Sequence, residues 1–345
     1  MFRCVLPLLG LVVVAALLPA QTLSDEEIKE GFISLINGKD FSGWRFSGTI
    51  PNPDKTVKAK PFTSALDVFP ENWKAGDGMI QLLKGGNPDL ASQWDFDDFE
   101  ARLQWRAHKK SYNSGFYVRS GKSVGANQIN LNAPAVGELI NTVPALKGKG
   151  KGVPELHKVG GSGEWNDWRV LAVGNKLTFW VNGQQAWAVD EFVPARGYLG
   201  LQAEGTIDFR NLRVKEIGYE VFRFPKDFQG DGWSAKDDIL TGNGKLATPK
   251  PYKNYTLRLE FRGQGGLQLG DTRLPFDHPD LKPVLHPEGQ FNYLQVKVAD
   301  GVGKLWCNTQ DLKTELKVGE GPLAVVPEKG LEIRHFRVRP AVAPK

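Results

Sequence analysis

Phe99-Glu100-Ala101-Arg102-Leu103-Gln104-Trp105-Arg106 alternates apolar and polar residues without a break. Successive side chains leave a β-strand on opposite sides, so this period of two predicts a strand with one face turned to a core. The pattern returns at Tyr255-Thr256-Leu257-Arg258-Leu259-Glu260-Phe261-Arg262, with Arg258 in the place of Arg102 and Arg262 in that of Arg106. Around these two stretches the rest of the chain also reads as strands. Leu177 to Val181 is followed by Asn182-Gly183, the dipeptide of a type I′ hairpin turn, and then by Gln184 to Val189. Leu199 to Gln202 and Ile207 to Val214 are two more strands. Only Ser24 to Glu30 looks helical, with Ser24 as N-cap and Glu27 closing a capping box. The class is all-β.

The echo extends along the chain. Trp165-Asn166 and Trp180-Val181-Asn182 recur as Phe291-Asn292 and Trp306-Cys307-Asn308, both at an offset of 126. Phe209-Arg210-Asn211-Leu212-Arg213-Val214 recurs as Ile333-Arg334-His335-Phe336-Arg337-Val338, and Trp73-Lys74-Ala75 as Trp233-Ser234-Ala235. Two tandem copies of one β domain are therefore expected, over residues 28–218 and 219–340, with the boundary near Ile217 to Tyr219. The second is shorter and degenerate. Arg102 to Arg210 spans 108 positions but Arg258 to Arg334 only 76, and the difference falls mainly between Lys109 and Gly163. Extra residues on a β scaffold commonly build functional loops.

The 345 residues are 41% hydrophobic and 24% charged, which suits a globular chain with sizeable cores. Gly 39 and Pro 22, beside 10 Trp and 19 Phe, fit many short strands and turns and argue against a helical bundle. The net charge is +5, but the basic runs Lys147-Gly148-Lys149-Gly150-Lys151 and Lys55, Lys58, Lys60 lie in Gly- or Pro-flanked loops. They are not interleaved with aromatics, so no nucleic-acid partner is expected. Arg3, the apolar stretch Val5 to Leu18 and the Leu18-Pro19-Ala20 site predict a signal peptide over residues 1–20. The mature protein is then secreted or periplasmic and does not span a membrane; its oligomeric state stays open. Processing leaves one cysteine, Cys307, which reads as a small buried hydrophobe. No zinc spacing, nucleophile elbow or phosphate loop is present. No cofactor is expected, except that Asp95, Asp97 and Asp98 leave open a structural calcium ion against a solvated turn.

Strand phasing sorts the polar residues by face. Phe116 and Val118 point inward, leaving Tyr117 and Arg119 on the other side; Ile129 and Leu131 point inward, leaving Gln128 and Asn130. Glu100, Arg102, Gln104 and Arg106 share one polar face, and Thr178, Trp180 and Asn182 another. If such strands are neighbours they form a concave surface of amides, guanidinium groups and aromatic rings, which suits a sugar. An ordinary solvent-facing sheet is the competing reading.

Ile36-Asn37-Gly38-Lys39-Asp40-Phe41-Ser42-Gly43-Trp44 resembles the opening motif of the 3-keto-disaccharide hydrolase domain family. Asn113-Ser114-Gly115-Phe116-Tyr117-Val118-Arg119, Gly163-Glu164-Trp165-Asn166, Trp180-Val181-Asn182-Gly183 and Gly200-Leu201-Gln202 through Phe209-Arg210-Asn211-Leu212 resemble later motifs of that family, in order. The resemblance implies a concanavalin A-like jelly roll, of a kind secreted by bacteria that degrade carbohydrate. It also implies cleavage of 3-keto-glycosides, or hydration of the 2-hydroxyglucal product. A ketone at C3 acidifies the C2 hydrogen, so a base removes it, the enolate expels the C1 oxygen, and water adds later.

The sequence departs from the family where many members carry a carboxylate two residues before Gln128, since Ala126 stands there. Glu138 is the replacement base that the resemblance suggests. His108 and His157 are candidate acids or bases, and Arg119 a candidate for steadying the enolate. Asn113, Tyr117, Gln128, Asn130 and Trp180 are candidate sugar contacts. Trp44, Trp165, Asn166 and Asn211 read as framework. An enzyme acting on an oxidised disaccharide is expected, with a non-catalytic carbohydrate-binding protein of the cell envelope as the alternative.

Overall fold

The computed structural model describes residues 23–47, 71–86, 88–122, 124–140, 146–158, 163–236 and 238–341, so the expected signal peptide and Lys55, Lys58 and Lys60 lie outside the described residues. Phe99–Ala107 is a central strand of an eight-stranded antiparallel sheet, flanked by Asn166–Val173 and Ile207–Glu216. Facing it is a six-stranded sheet ordered Trp44–Ser47, Asp89–Phe96, Gly197–Leu201, Gly115–Ser120, Gln128–Asn130, Leu139–Ile140. Phe116, Val118, Ile129, Leu199 and Leu201 of the smaller sheet meet Leu103, Trp105, Trp168, Val170 and Phe209 of the larger in one core. The helix Asp25–Glu30 carries its capping box between Ser24 and Glu27. No helix among the described residues is long and apolar enough to cross a membrane.

A second sandwich follows. Its eight-stranded sheet is built around Tyr255–Arg262 and Glu332–Pro340, and its smaller sheet has four strands, Leu246–Tyr252, Gly321–Pro327, Gly265–Leu269 and Thr272–Pro275. The echo between the two halves extends to individual hydrogen bonds. Asn182 Nδ2 donates to Leu156 O and Asn166 Oδ1, while Lys158 N donates to Asn166 Oδ1. In the second copy Asn308 Nδ2 donates to Val284 O and Asn292 Oδ1, while His286 N donates to Asn292 Oδ1. Asn182 and Asn308 each sit at φ 48°, the left-handed conformation that the type I′ turn requires. Asn211 (φ 53°) and His335 (φ 51°) hold the same left-handed position in their repeated strands. Cys307 is buried and unpaired, and burial pushes its thiol pKa up to about 12.

The second copy departs from the expectation of one core face and one solvent face. Every residue from Tyr255 to Phe261 is buried, because the outer face of that strand packs against the first sandwich. Trp94 of the first copy stacks on Trp306 (centroids 5.3 Å apart) and meets Tyr293 edge-on, while its Nε1 donates to Glu260 Oε1 at 2.9 Å. Arg258 donates to Glu216 Oε1 (2.6 Å) and to Asp95 Oδ1 (2.9 Å). Arg337 pairs with Glu216, and Arg339 with Asp97. Burial works to raise the Glu260 pKa, but Arg334 and His335 outweigh it and hold the carboxyl well below the usual carboxylate range. The two sandwiches are thus joined through a desolvated ionic network with an aromatic centre.

Candidate functional site

The outer face of the six-stranded sheet is where the strands collect polar groups. Pairing places two rows of residues straight across it. One runs Ser47, Asp89, Gln202, Gly115, Asn130, Glu138; the other runs Arg45, Ala91, Gly200, Tyr117, Gln128, Ile140. The alternation that sends Phe46, Leu90, Leu201, Phe116 and Ile129 into the core sends these residues outward. Gly115 matters for its missing side chain: a Cβ there would lie 1.6 Å from Gln128 Nε2, so only glycine lets that amide lie flat. Gln128 Nε2 consequently reaches Gln202 Oε1 at 2.5 Å.

At one end of the rows stands a buried cation with no anion beside it among the described residues. Arg45 is 5% exposed, and among the described residues its Nε and Nη2 find no hydrogen-bond partner; nor do the nearby Ser47 Oγ and Gln93 Oε1. Its guanidinium carbon lies over the Tyr198 ring, 4.7 Å from the ring centroid. Burial pushes the Arg45 pKa down. A buried donor left unsatisfied costs about 1–3 kcal/mol, more when charged, and the described residues do not offset that cost at Arg45. On the neighbouring strand Asp89 accepts from Ala203 N (2.7 Å) and Tyr117 Oη (3.0 Å), and burial outweighs both bonds to raise its pKa. Burial, followed by the charges of Asp89 and Glu204, raises the Tyr117 phenol as well. Asn113 Nδ2 donates to Glu204 at the same end.

The expected candidates divide. Tyr117, Gln128, Asn130 and Glu138 share this face, with Asn113 at its end. Glu138 lies four strands from Asp89, about 19 Å at roughly 4.8 Å per strand; its backbone bonds Asn130 N and Ala135 O, and its carboxylate carries no ion pair with the described residues. Arg119 does not reach the face. It is fully buried, and its Nε and Nη1 donate to Asp97 O (2.7 Å) and Gly174 O (2.6 Å), while Nη2 pairs with Asp98. His157 is buried in the core end, where Trp168 Nε1 donates to its Nε2 (2.8 Å) and its Nδ1 bonds Val153 O. His108 pairs with Asp208 at 3.0 Å beside the larger sheet. Trp180 is on the larger sheet too, under Arg169 at 4.5 Å. The two polar surfaces seen in the strand phasing therefore belong to different sheets, on opposite sides of the sandwich.

Two further expectations are revised. The described part of the long insertion adds the edge strand Leu139–Ile140 and then folds Leu146, Val153 and Leu156 against the core, rather than arching over the face. The aspartates considered for calcium are spent on arginines: Asp95 on Arg196 and Arg258, Asp97 on Arg339, Asp98 on Arg119. Among the described residues no group of three or more His, Cys, Asp or Glu side chains is placed to hold a metal ion. Arg45, Ser47, Asp89 and Gln202 were not singled out from sequence. The available signal was the alternation of Trp44-Arg45-Phe46-Ser47, which puts an arginine on a strand between two core aromatics.

Burial lowers the His157 pKa, and the sign of the consequence follows. Between the folded and unfolded values the unfolded chain binds the extra proton, so stability rises with pH there. The contribution is complete above about pH 6.5 and is lost as the pH falls below it. His286 and His335 are also lowered by burial and act in the same sense. Melting temperature should fall between pH 7 and pH 5, and His157→Phe should flatten that slope. An unchanged slope in the variant would remove His157 from the account.

Comparison with known proteins bears on this face. No curated protein matches the chain. Among solved structures, a candidate glycosyl hydrolase from Parabacteroides distasonis is similar at 23% identity and a TM-score of 0.42, covering 57% of this chain and 98% of its own. Carbohydrate-binding module CBM66 from Bacillus subtilis is similar at 13% identity and a TM-score of 0.32, covering 50% and 96%. The 3-keto-alpha-glucoside-1,2-lyase-like domain matches residues 31–215, a stretch that holds both sheets of the first sandwich and every residue of the two polar rows. With more than half of its length matched in that way, the protein belongs to the 3-keto-alpha-glucoside-1,2-lyase-like domain family, a carbohydrate-active family.

Proposed function

We propose that the first sandwich cleaves a 3-keto-glucoside by elimination on the outer face of its six-stranded sheet. One observation carries this reading: a buried guanidinium with unfilled donors stands one strand from a carboxylate whose pKa is raised. Asp89 takes the C2 proton of the bound sugar. Arg45 receives the negative charge that develops on the C3 oxygen, where a preorganised donor in a water-poor site acts most strongly. The electron pair then returns to form the C1–C2 double bond and expels the C1 oxygen. That oxygen takes its proton from Asp89 as the aglycone leaves, so the carboxylate ends the cycle as it began. A raised pKa suits a group that must both accept and return a proton near neutrality. Gln128 and Gln202, linked across the glycine gap, hold ring hydroxyls, and Glu138 meets the far end of a longer ligand. The N-terminal apolar stretch supports action outside the cytoplasm.

The test is release of monosaccharide from a 3-keto-disaccharide. Asp89→Asn should lower turnover about 10²–10⁴-fold, the usual contribution of a positioned base. Glu138→Gln should change turnover much less than binding. The reverse order of effects would return the base to Glu138, and no turnover by the unmodified protein would leave the face a binding surface. Ala126 at the family's usual carboxylate position favours that second reading.

A further inference from the structure

The second sandwich contains a cleft of about 420 Å³ that the proposed chemistry does not use. It opens where the strand Tyr255–Arg262 turns into Gly265–Leu269. In the first copy the corresponding strands, Phe99–Ala107 and Gly115–Ser120, are joined by residues 108–114; in the second copy only 263–264 intervene. Tyr112 of the longer connection packs on Trp105, with ring centroids 5.6 Å apart. Trp105 corresponds to Phe261. Shortening has therefore removed the plug. Phe276 stacks on Phe261 at 3.7 Å but does not fill the space.

The chemistry of the lining selects the occupant. His286 Nδ1 bonds Phe291 O at 2.8 Å, so in the neutral ring that nitrogen carries the proton and Nε2 presents a lone pair. Among the described residues His286 Nε2 is buried without a partner, and so is Gln290 Oε1. Both are acceptors, and Glu288 adds a carboxylate at the mouth. Phe276 and Leu285 supply the apolar side. A guest must bring hydrogen-bond donors and an apolar flank, and the volume falls within the roughly 300–1,000 Å³ of small-molecule sites. The equivalent of His286 in the first copy, by the repeated asparagine bonds, is Lys158, whose amine donates to Trp165 O. The imidazole acceptor is thus particular to the second copy.

We propose that this cleft is a second saccharide site, taking one neutral, hydroxyl-bearing sugar unit and independent of the first sandwich's face. Hydroxyl protons meet His286 Nε2 and Gln290 Oε1, and the C–H face of the ring lies toward Phe276 and Leu285. Such a site makes the chain bivalent toward a glycan, with the gain in avidity that tethered sites provide.

The test uses the full chain and methyl α-glucoside, with methyl galactoside, mannoside and xyloside as alternatives. Imidazole nitrogen NMR follows His286 directly, and saturation-transfer NMR reports binding. A saturable shift of His286 Nε2 is expected, and Gln290→Leu should weaken binding about tenfold or more. His286→Phe should do the same, while neither variant changes turnover of a 3-keto-disaccharide. Binding unchanged in both variants, or no saturable His286 shift with any of the four glycosides, overturns the proposal. Because none of the probes carries a ketone, failure here is separate from failure of the elimination chemistry.

Discussion

Replacing Arg45 by methionine should make the protein more stable and less active at once. Most substitutions at a catalytic centre lower activity with little effect on folding, and most substitutions of a buried arginine lower stability. Arg45 is unusual because its Nε and Nη2 are buried without partners and no carboxylate neutralises it among the described residues. Its burial therefore carries a desolvation cost with little return beyond the Tyr198 ring contact, worth about 0.5–2 kcal/mol. Methionine fills a similar channel without the charge. Replacing buried ionic groups by apolar ones of similar volume is often neutral or stabilising by about 1–4 kcal/mol, and the upper part of that range is expected for an unpaired ion. Turnover should fall about 10²–10³-fold, the loss that follows removal of one donor to a developing oxyanion. Thermal unfolding and turnover of Arg45→Met check the two halves separately. A lowered melting temperature would mean that the guanidinium has a structural partner and is not waiting for a ligand.

How much of this could be read from the chain depends on the range of the interaction involved. Period-two alternation, the Asn182-Gly183 turn and the Ser24–Glu27 capping box are local, and each appears where the sequence puts it. The echo between the two halves of the sequence has a counterpart in the asparagines of the repeated motifs, which make matching bonds in both sandwiches. Tyr117, Gln128 and Asn130 could be put outward from the core because strand phasing needs only one core residue to set it. Which sheet a strand joins is a long-range matter, and so Trp180 was grouped with residues that lie across the sandwich from it. Arg119 was misread for a related reason. Its φ of 47° breaks the alternation, and the side chain leaves the strand toward carbonyls at the sheet's end. The aspartates at 95, 97 and 98 and the arginines at 258, 337 and 339 are far apart in sequence. Their pairing exists only once two sandwiches have met.

That meeting sets the second large effect: Arg258→Ala should destabilise the whole chain by about 3–5 kcal/mol, the cost of removing one partner from a buried ionic network. Arg258 is fully buried and bridges Glu216, Asp95 and Gln295. Without it the Glu216 carboxylate keeps only Arg337 in an environment that already pushes its pKa upward by burial. The deficit is shared between the sandwiches, because Glu216 and Asp95 belong to the first and Arg258 to the second. Unfolding should therefore shift as one transition, not as a loss confined to the back half. A pair of melts, with only the later half of the chain moved, would show that the interface contributes little. The same reasoning revises what the repeat alone suggests, namely that a chain ending near Gly218 folds by itself. Such a truncation uncovers Trp94, which is 1% exposed, and strips Asp95, Asp97 and Glu216 of Arg258, Arg337 and Arg339. A first sandwich cut there should aggregate where the full chain does not, and replacing Trp94 by a polar residue should lessen that aggregation, because the uncovered carboxylates are hydrated while the indole is not.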